Sequence, residues 1–443
     1  VRYNKRAIIM VFWKEFDMLP RRAVLFYWVQ VLCLGMLLQG DSKGDWPGLL
    51  GPKRDGHAAP GTQLSHRVAR ELLPSWELPA GQGYAGAAIR GQHAVLYQRD
   101  ANEDVVRLVD MTDGKVLWRT PFPSTYRQGI DEDKGPRSVP QIVDDWIILH
   151  SASGGVHCLA MADGSVRWSR DLRKEFGADD GYFGAGNTPL VSGVVVIVNV
   201  GAKKQKAGVV AISLLDGSTF WTATDADAGY ASPILYRHGN TDSGTPTTAI
   251  VPTRLTTYGI DPDTGRVRWE FPFGQRGPTV NAATPIVLTN GHLLQTSSYG
   301  IGYVSAQIDA TRVEIVRKGD ELASQYATPV AVGDYVYASD GREDGGYGNY
   351  KCLDPEAGTV RWEEVGMPIC HTIAVDSEDR SELLIVGVDG RVWLTPATQQ
   401  GFQPIWQSRL PMGKYRALPA LSGNRLLVRT CLSPDSKWMC IEL

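Results

Sequence analysis

A glycine followed four residues later by a tryptophan recurs along this chain, each time behind a polar or small residue. The copies run from Asp113-Gly114 to Trp118, Asp163-Gly164 to Trp168, Asp216-Gly217 to Trp221, Thr264-Gly265 to Trp269 and Ala357-Gly358 to Trp362. Most follow a short apolar stretch, so each reads as a strand, a tight turn whose glycine takes a positive φ, and a second strand that carries the indole. A helix does not tolerate that turn chemistry at every repeat. Trp76, Trp406 and a degenerate copy over Asp309 to Val316 extend the series to positions 76, 118, 168, 221, 269, 316, 362 and 406. Such spacings are the length of a four-stranded propeller blade.

A second landmark precedes each hairpin, where small residues and often a proline open an apolar strand. It stands at Ala85-Gly86-Ala87, Ser138-Val139-Pro140, Asn187-Thr188-Pro189, Ala231-Ser232-Pro233, Ala283-Thr284-Pro285, Ala327-Thr328-Pro329, His371-Thr372-Ile373 and Ala417-Leu418-Pro419. Small residues suit crowding at a central axis, and proline at a strand's first position forfeits no ladder donor. The two series predict an all-β fold, an eight-bladed β-propeller of four-stranded antiparallel blades. The chain ends in a third strand, Lys437 to Leu443, and Ser75 to Leu78 can supply the missing outer one. N- and C-terminal segments then share one blade and no sheet edge is left exposed. The predicted organisation is an N-terminal extension with a signal or anchor over 1–40, a lead-in segment over 41–74 and the propeller over 75–443. Trp76, Trp118, Trp168, Trp221, Trp269, Trp362 and Trp406 are read as scaffold packed between blades.

The net charge of −3 gives no long-range field for nucleic acid or an anionic membrane, which disfavours both as partners. From Met18, a short positive region at Arg21 and Arg22 leads into apolar Ala23 to Leu38, the pattern of a secretory signal or an N-terminal anchor. This predicts export to the periplasm or cell envelope. Beyond it stand Cys158, Cys352, Cys370, Cys431 and Cys440. If the compartment is oxidising, Cys431 and Cys440, flanking a turn at Ser433 to Ser436, are the best disulfide pair; buried free thiols are the alternative.

Hairpins such as Leu353 to Trp362 resemble the repeat of pyrroloquinoline-quinone-dependent alcohol dehydrogenases and of the barrel-assembly propeller lipoprotein of bacterial outer membranes. The lead-in Asp45-Trp46-Pro47-Gly48-Leu49-Leu50-Gly51-Pro52-Lys53-Arg54-Asp55-Gly56 is similar to that of secreted planctomycete-type propellers. In the dehydrogenases the resemblance implies a quinone under a disulfide of adjacent cysteines, a Ca²⁺ held by carboxylate and amide oxygens, and a catalytic Asp. No two cysteines are adjacent here, and Met367-Pro368-Ile369-Cys370-His371 lacks the first sulfur of a haem-attachment motif.

The residue three before each proline position should face the channel mouth, giving a ring of Tyr84, Arg137, Gly186, Tyr230, Ala282, Tyr326, Cys370 and Arg416, with Asn187 and Asn281 beside it. Such residues suit a polar or anionic ligand, or they hydrogen-bond neighbouring loops and plug the channel. Two longer loops join that face, Tyr126 to Arg137 with Asp131, Glu132 and Asp133, and Asp340 to Tyr350 with Arg342, Glu343 and Asp344. The first reads as a solvated acidic loop without the alternating ligands of a calcium loop. No metal site is read from the histidines. Gly40-Asp41-Ser42-Lys43-Gly44 matches a nucleophile elbow only in letters, reads as a linker, and no catalytic residue is assigned. The leading expectation is a monomeric exported scaffold or binding module for a protein, peptide or glycan. The rival is an oxidoreductase using pyrroloquinoline quinone with Ca²⁺.

Overall fold

The computed structural model describes residues 44–443 apart from 125, 128–129, 131, 240–245, 278–280, 379 and 433. The apolar stretch Ala23 to Leu38, Asp131 and Ser433 therefore lie outside the described residues. Eight four-stranded antiparallel sheets form the propeller. Blade 1 consists of Ala88–Arg90, His93–Asp100, Glu103–Asp110 and Val116–Pro123, from innermost to outermost strand. Blades 2 to 7 follow over 141–171, 190–223, 234–272, 286–319, 330–367 and 370–409. Blade 8 takes Ala420–Ser422, Arg425–Arg429 and Lys437–Glu442 from the C-terminus and Pro74–Pro79 from the N-terminal side. In that closing pair Trp76 stands opposite Cys440.

Middle strands are mostly apolar and buried, as in Ala207–Ser213, which is buried along its whole length. Each sheet is sandwiched between two neighbours, so both of its faces need apolar side chains. Outer strands lie at the perimeter and alternate instead, as Val313–Gly319 does.

Every repeated tryptophan donates its indole N–H to a main-chain carbonyl in a turn or loop of the next segment round the ring. Trp76 reaches Met111 O at 3.0 Å, Trp118 reaches Met161 O at 2.9 Å, and Trp168 reaches Leu214 O at 2.8 Å. Trp221 reaches Pro262 O at 3.0 Å, Trp269 Asp309 O at 3.2 Å, Trp362 Thr398 O at 2.7 Å and Trp406 Ser65 O at 2.9 Å. For Trp76, Trp118, Trp168 and Trp221 the turn glycine of the next blade lies directly on the ring: a Cβ on Gly265 would come 2.6 Å from Cδ2 of Trp221. Blade 5 departs from the expected copy. A bulge after Ser305 puts Arg317, not Val316, at the tryptophan position, opposite Ser305. Its guanidinium lies against Gly358, and the missing indole donor is replaced by the Tyr303 hydroxyl, which donates to Pro355 O at 3.1 Å.

The inner landmark has its own circumferential bond. Val139 N donates to Thr188 Oγ1, Thr188 N to Ser232 Oγ, Ser232 N to Thr284 Oγ1 and Thr284 N to Thr328 Oγ1, at 2.8 to 3.3 Å. The residue before proline is thus a hydroxyl for a reason beyond size: it satisfies the neighbouring blade's backbone donor where strands are too short to reach one another.

The lead-in segment crosses the channel. Trp46 pairs with Ile89 of blade 1, and Pro47 O accepts from Ile142 N of blade 2 at 2.7 Å. Arg54 donates to Thr188 O and Pro189 O of blade 3 at 3.0 and 2.9 Å. Gly56 and Ala58 then bracket Ala374 of blade 7, while His57 Nε2 meets Ala331 O of blade 6 at 2.8 Å. Leu50 and Arg54 hold positive φ values of 57° and 60°, the tight folding needed inside a narrow channel.

Gly91 and Gly265 both have positive φ, but only Gly265 faces an indole; nothing lies within 4 Å of a Cβ on Gly91. Gly91→Ala is expected to cost about 1 kcal/mol and Gly265→Ala about 3 kcal/mol or more, measured by urea denaturation. Equal losses would contradict the tight indole contact.

Candidate functional site

Strand direction fixes which loops share a face. Innermost strands start on the face where outer strands end, and the loops between second and third strands return to it. The signature Asp-Gly turns occupy the opposite face. Around the channel on the first face is a cavity of about 170 Å³, with Leu49 of the lead-in segment, Val139 and Leu418 among its lining. Leu49, Leu50 and Val139 form a small apolar cluster with Leu418 packed on it, so the lead-in segment supplies the cavity's floor.

Of the predicted ring, Tyr84, Arg137, Gly186, Tyr230, Ala282, Tyr326 and Arg416 line this cavity. Cys370 does not; its thiol donates to Pro368 O and its neighbour His371 takes the lining position. The side-chain amide donors of Asn187 and Asn281 are committed to the fold. Asn187 donates to Asn199 O, and Asn281 donates to Thr253 O, Arg254 O and Phe273 O. Arg342 sits outside the cavity, paired with Asp344 and stacked 4.4 Å over Tyr299, which does line it.

Both cavity arginines lie between tyrosines. Arg416 stands 4.4 Å from the Tyr84 centroid and 5.2 Å from that of Tyr326, and Arg137 is 5.6 Å from Tyr84 and from Tyr126. Stacking on a ring face holds a guanidinium without neutralising it. Glu343 gathers Lys414, Arg416 and the Tyr326 hydroxyl, the last at 2.6 Å. Burial works against its ionisation, yet the Lys414 and Tyr326 hydrogen bonds and the Arg416 charge hold its carboxyl below the usual range. Burial and the same carboxylate push the Tyr326 hydroxyl far above its ordinary value. Glu343 is thus an ion-pair hub. The expectation of a solvated acidic loop over Tyr126 to Arg137 is corrected at Asp133, which is buried and accepts from Gly83 N at 2.7 Å and Gly135 N at 2.8 Å.

His371 went unnoticed in the sequence because it falls inside a landmark read as structural. Its Nε2 donates to Arg416 O at 3.0 Å, while the buried Nδ1 has no partner among the described residues. Burial pushes its pKa down to about 4, so at neutral pH the ring is uncharged and Nδ1 is an acceptor enclosed behind the cavity wall.

The family model described as outer membrane protein assembly factor BamB matches residues 102–364. The chain belongs to this family. Among solved structures, BamB from Moraxella catarrhalis is 18% identical with a TM-score of 0.58, over 84% of this chain and 98% of that one. A europium-containing methanol dehydrogenase is 12% identical with a TM-score of 0.63, over 92% and 100%. The quinohemoprotein alcohol dehydrogenase from Comamonas testosteroni is also 12% identical, with a TM-score of 0.62 over 91% and 81%. At these identities the structural likeness establishes the fold alone. No curated protein matches the chain.

The donor set of the mouth does not fit a quinone with Ca²⁺. Glu343 and Asp133 are consumed by internal partners, and no group of three or more His, Cys, Asp or Glu among the described residues could hold a metal. The five described cysteines are free and buried. The Cys431–Cys440 pairing is corrected by register. Cys440 stands opposite Leu427, four residues before Cys431, which itself bridges to Lys414. Four strand residues span about 13 Å, beyond the roughly 7 Å Cα limit of a disulfide.

His150, His157 and His371 are all buried and pushed down to about 4 from the ordinary 6.5. Their folded values lie below their unfolded one, so the unfolded chain binds more protons across that window. Stability is present above it and is lost as pH falls through it, by up to about 1.4 kcal/mol per pH unit for each histidine. Urea midpoints are expected to drop between about pH 7 and about pH 5, and His371→Gln to remove about a third of the drop. A variant with the full drop would show that His371 stays uncharged in both states.

Proposed function

We propose that this chain is a protein-binding propeller of the cell envelope that engages its partner with the mouth face. The observation that carries the reading is the rim of that face. Met412 is fully exposed, and Tyr347 and Ile130 are 70% and 67% exposed, all on loops that surround the cavity. Large apolar side chains held in water at a loop tip cost free energy unless something covers them, and anchors of this type dominate binding energies. The Lys414–Glu343 ion pair ties the Met412 loop to the Tyr347 loop, so these two anchors are presented together at little entropic cost. The cavity on the same face holds the tyrosine-stacked Arg137, suited to a carboxylate on the partner.

Family membership supports the same reading, since the matching description is that of an assembly factor, a protein that acts on other proteins. An oxidoreductase reading has no donor set behind it in the mouth.

A photo-crosslinking residue placed at 347 or 412 in the full chain, expressed in a bacterial envelope, is expected to give one discrete protein adduct. The same residue at Val166, half-exposed on an outer strand, is expected to give none. Adducts from 166 but not from 347 or 412 would overturn the choice of face, and no adduct from any position would overturn the binding role.

A further inference from the structure

The circumferential hydroxyls of the inner strands belong to the mouth cavity as well as to the fold. Thr188, Ser232, Thr284 and Thr328 all line it. Each of their oxygens accepts a backbone N–H from the neighbouring blade, given by Val139, Thr188, Ser232 and Thr284 in turn. A hydroxyl carries an O–H donor besides its lone pairs. None of these O–H groups has an acceptor among the described residues, although all four side chains are buried. A row of unused donors therefore stands at one end of the cavity.

Charge decides what those donors can face. Among the described residues of the lining, Arg137 and Arg416 are the charged ones and no carboxylate is present. Arg416 is paired with Glu343 at 3.3 Å. Arg137 instead donates to the main-chain oxygens of Gly135 and Asp133, both neutral, while the Asp133 carboxylate accepts from Gly83 N and Gly135 N. Most of its guanidinium N–H groups stay open, and stacking on Tyr84 and Tyr126 leaves the charge intact. Arg54 adds a second cation whose partners, Gln141 Oε1, Thr188 O and Pro189 O, are all neutral. Its bond to Thr188 O sets it against the backbone of the hydroxyl row, and burial pulls its pKa down to about 9, as expected of a desolvated charge without a counter-ion. A cation in the cavity would meet Arg137, and a neutral ligand would leave both charges uncompensated. Leu49, Val139, Phe183 and Leu418 give the same cavity an apolar wall, and cavities of about 150 Å³ take a benzene ring.

We propose that the mouth cavity binds a carboxylate carried on a small apolar body, its oxygens taking the open N–H groups of Arg137 and the O–H groups of the hydroxyl row. One open guanidinium in the lining matches one negative charge, which favours a carboxylate over a phosphate. This rests on the mouth face being the binding face and names what its cavity takes. Crosslinking at the rim and titration of the cavity probe different atoms, so failure of one is distinguishable from failure of the other. A free small acid and the C-terminal residue of a partner share this chemistry.

The test titrates the isotope-labelled full chain with hydrocinnamate, its amide, and N-acetyl-Ala-Ala-Phe with a free or an amidated C-terminus, following the Arg137 Nε–H resonance by NMR. At least one acid is expected to shift it saturably, and both amides to leave it unmoved. A response to the peptide acid alone assigns a partner's C-terminus, and a response to hydrocinnamate assigns any carboxylate on an apolar body. By calorimetry, Arg137→Gln is expected to weaken the responding acid about tenfold, the effect of one charged hydrogen bond. Arg312→Gln, exposed in a turn, is expected to leave it unchanged. The comparison of acid with amide needs no variant, so it stands even if Arg137→Gln fails to fold. Equal responses to acid and amide, no response to either acid, inorganic phosphate binding as tightly as the acid, or unchanged affinity in a folded Arg137→Gln would each overturn the proposal.

Discussion

The junction between one blade and the next is the interaction on which everything else depends. A single four-stranded sheet with apolar middle strands cannot bury both of its faces alone. Seven junctions are fixed at their outer part by an indole donating to a neighbouring carbonyl, and in four of these the indole also lies on a turn glycine of the next blade. Along blades 2 to 6 the inner part of the junction is fixed by a hydroxyl that accepts the neighbouring blade's backbone N–H. The outer bond survives loss of the indole in blade 5, where Arg317 keeps the stacking and Tyr303 takes over the hydrogen bond. Geometry is retained there while chemistry changes, which identifies the contact itself as the requirement.

Ring closure depends on the two ends of the described chain meeting in blade 8. Arg429 spans the joint, donating to Gly81 O at 2.7 Å and lying 4.8 Å from the Trp438 centroid, while Trp438 donates to Gln98. The segment leading into this blade first runs through the channel and floors the mouth cavity with Leu49. The mouth is therefore a cup whose walls belong to the blades and whose floor belongs to residues before the first strand. Loops on such a support need little reorganisation to bind.

Much of this was legible in the sequence, because blade number, inner strands and closing strand are encoded by local repeats. The ring of residues three before each proline position also converges as the strand direction requires, apart from Cys370. What stayed hidden is non-local. The register of blade 5 turns on one bulge, which moves the key position from Val316 to Arg317. Asn187 and Asn281 stand in the right place to face a ligand, but their amides are drawn to backbone carbonyls that loops from elsewhere leave unsatisfied. The lead-in segment carries no periodicity, so its route across the channel could not be read, nor could the burial of Asp133 and Glu343 by partners distant in the chain.

The claim that binds fold to site is that residues 46–58 form a fixed floor across the channel. Hydrogen exchange of the full chain tests it at the amides of Ile89, Ile142 and Ala374, which donate to Trp46, Pro47 and Gly56. A fixed floor requires these amides to exchange as slowly as those of the middle strands in the same blades. Exchange at the rate of exposed loop amides would show that the floor opens, and the cup would then be a through-channel.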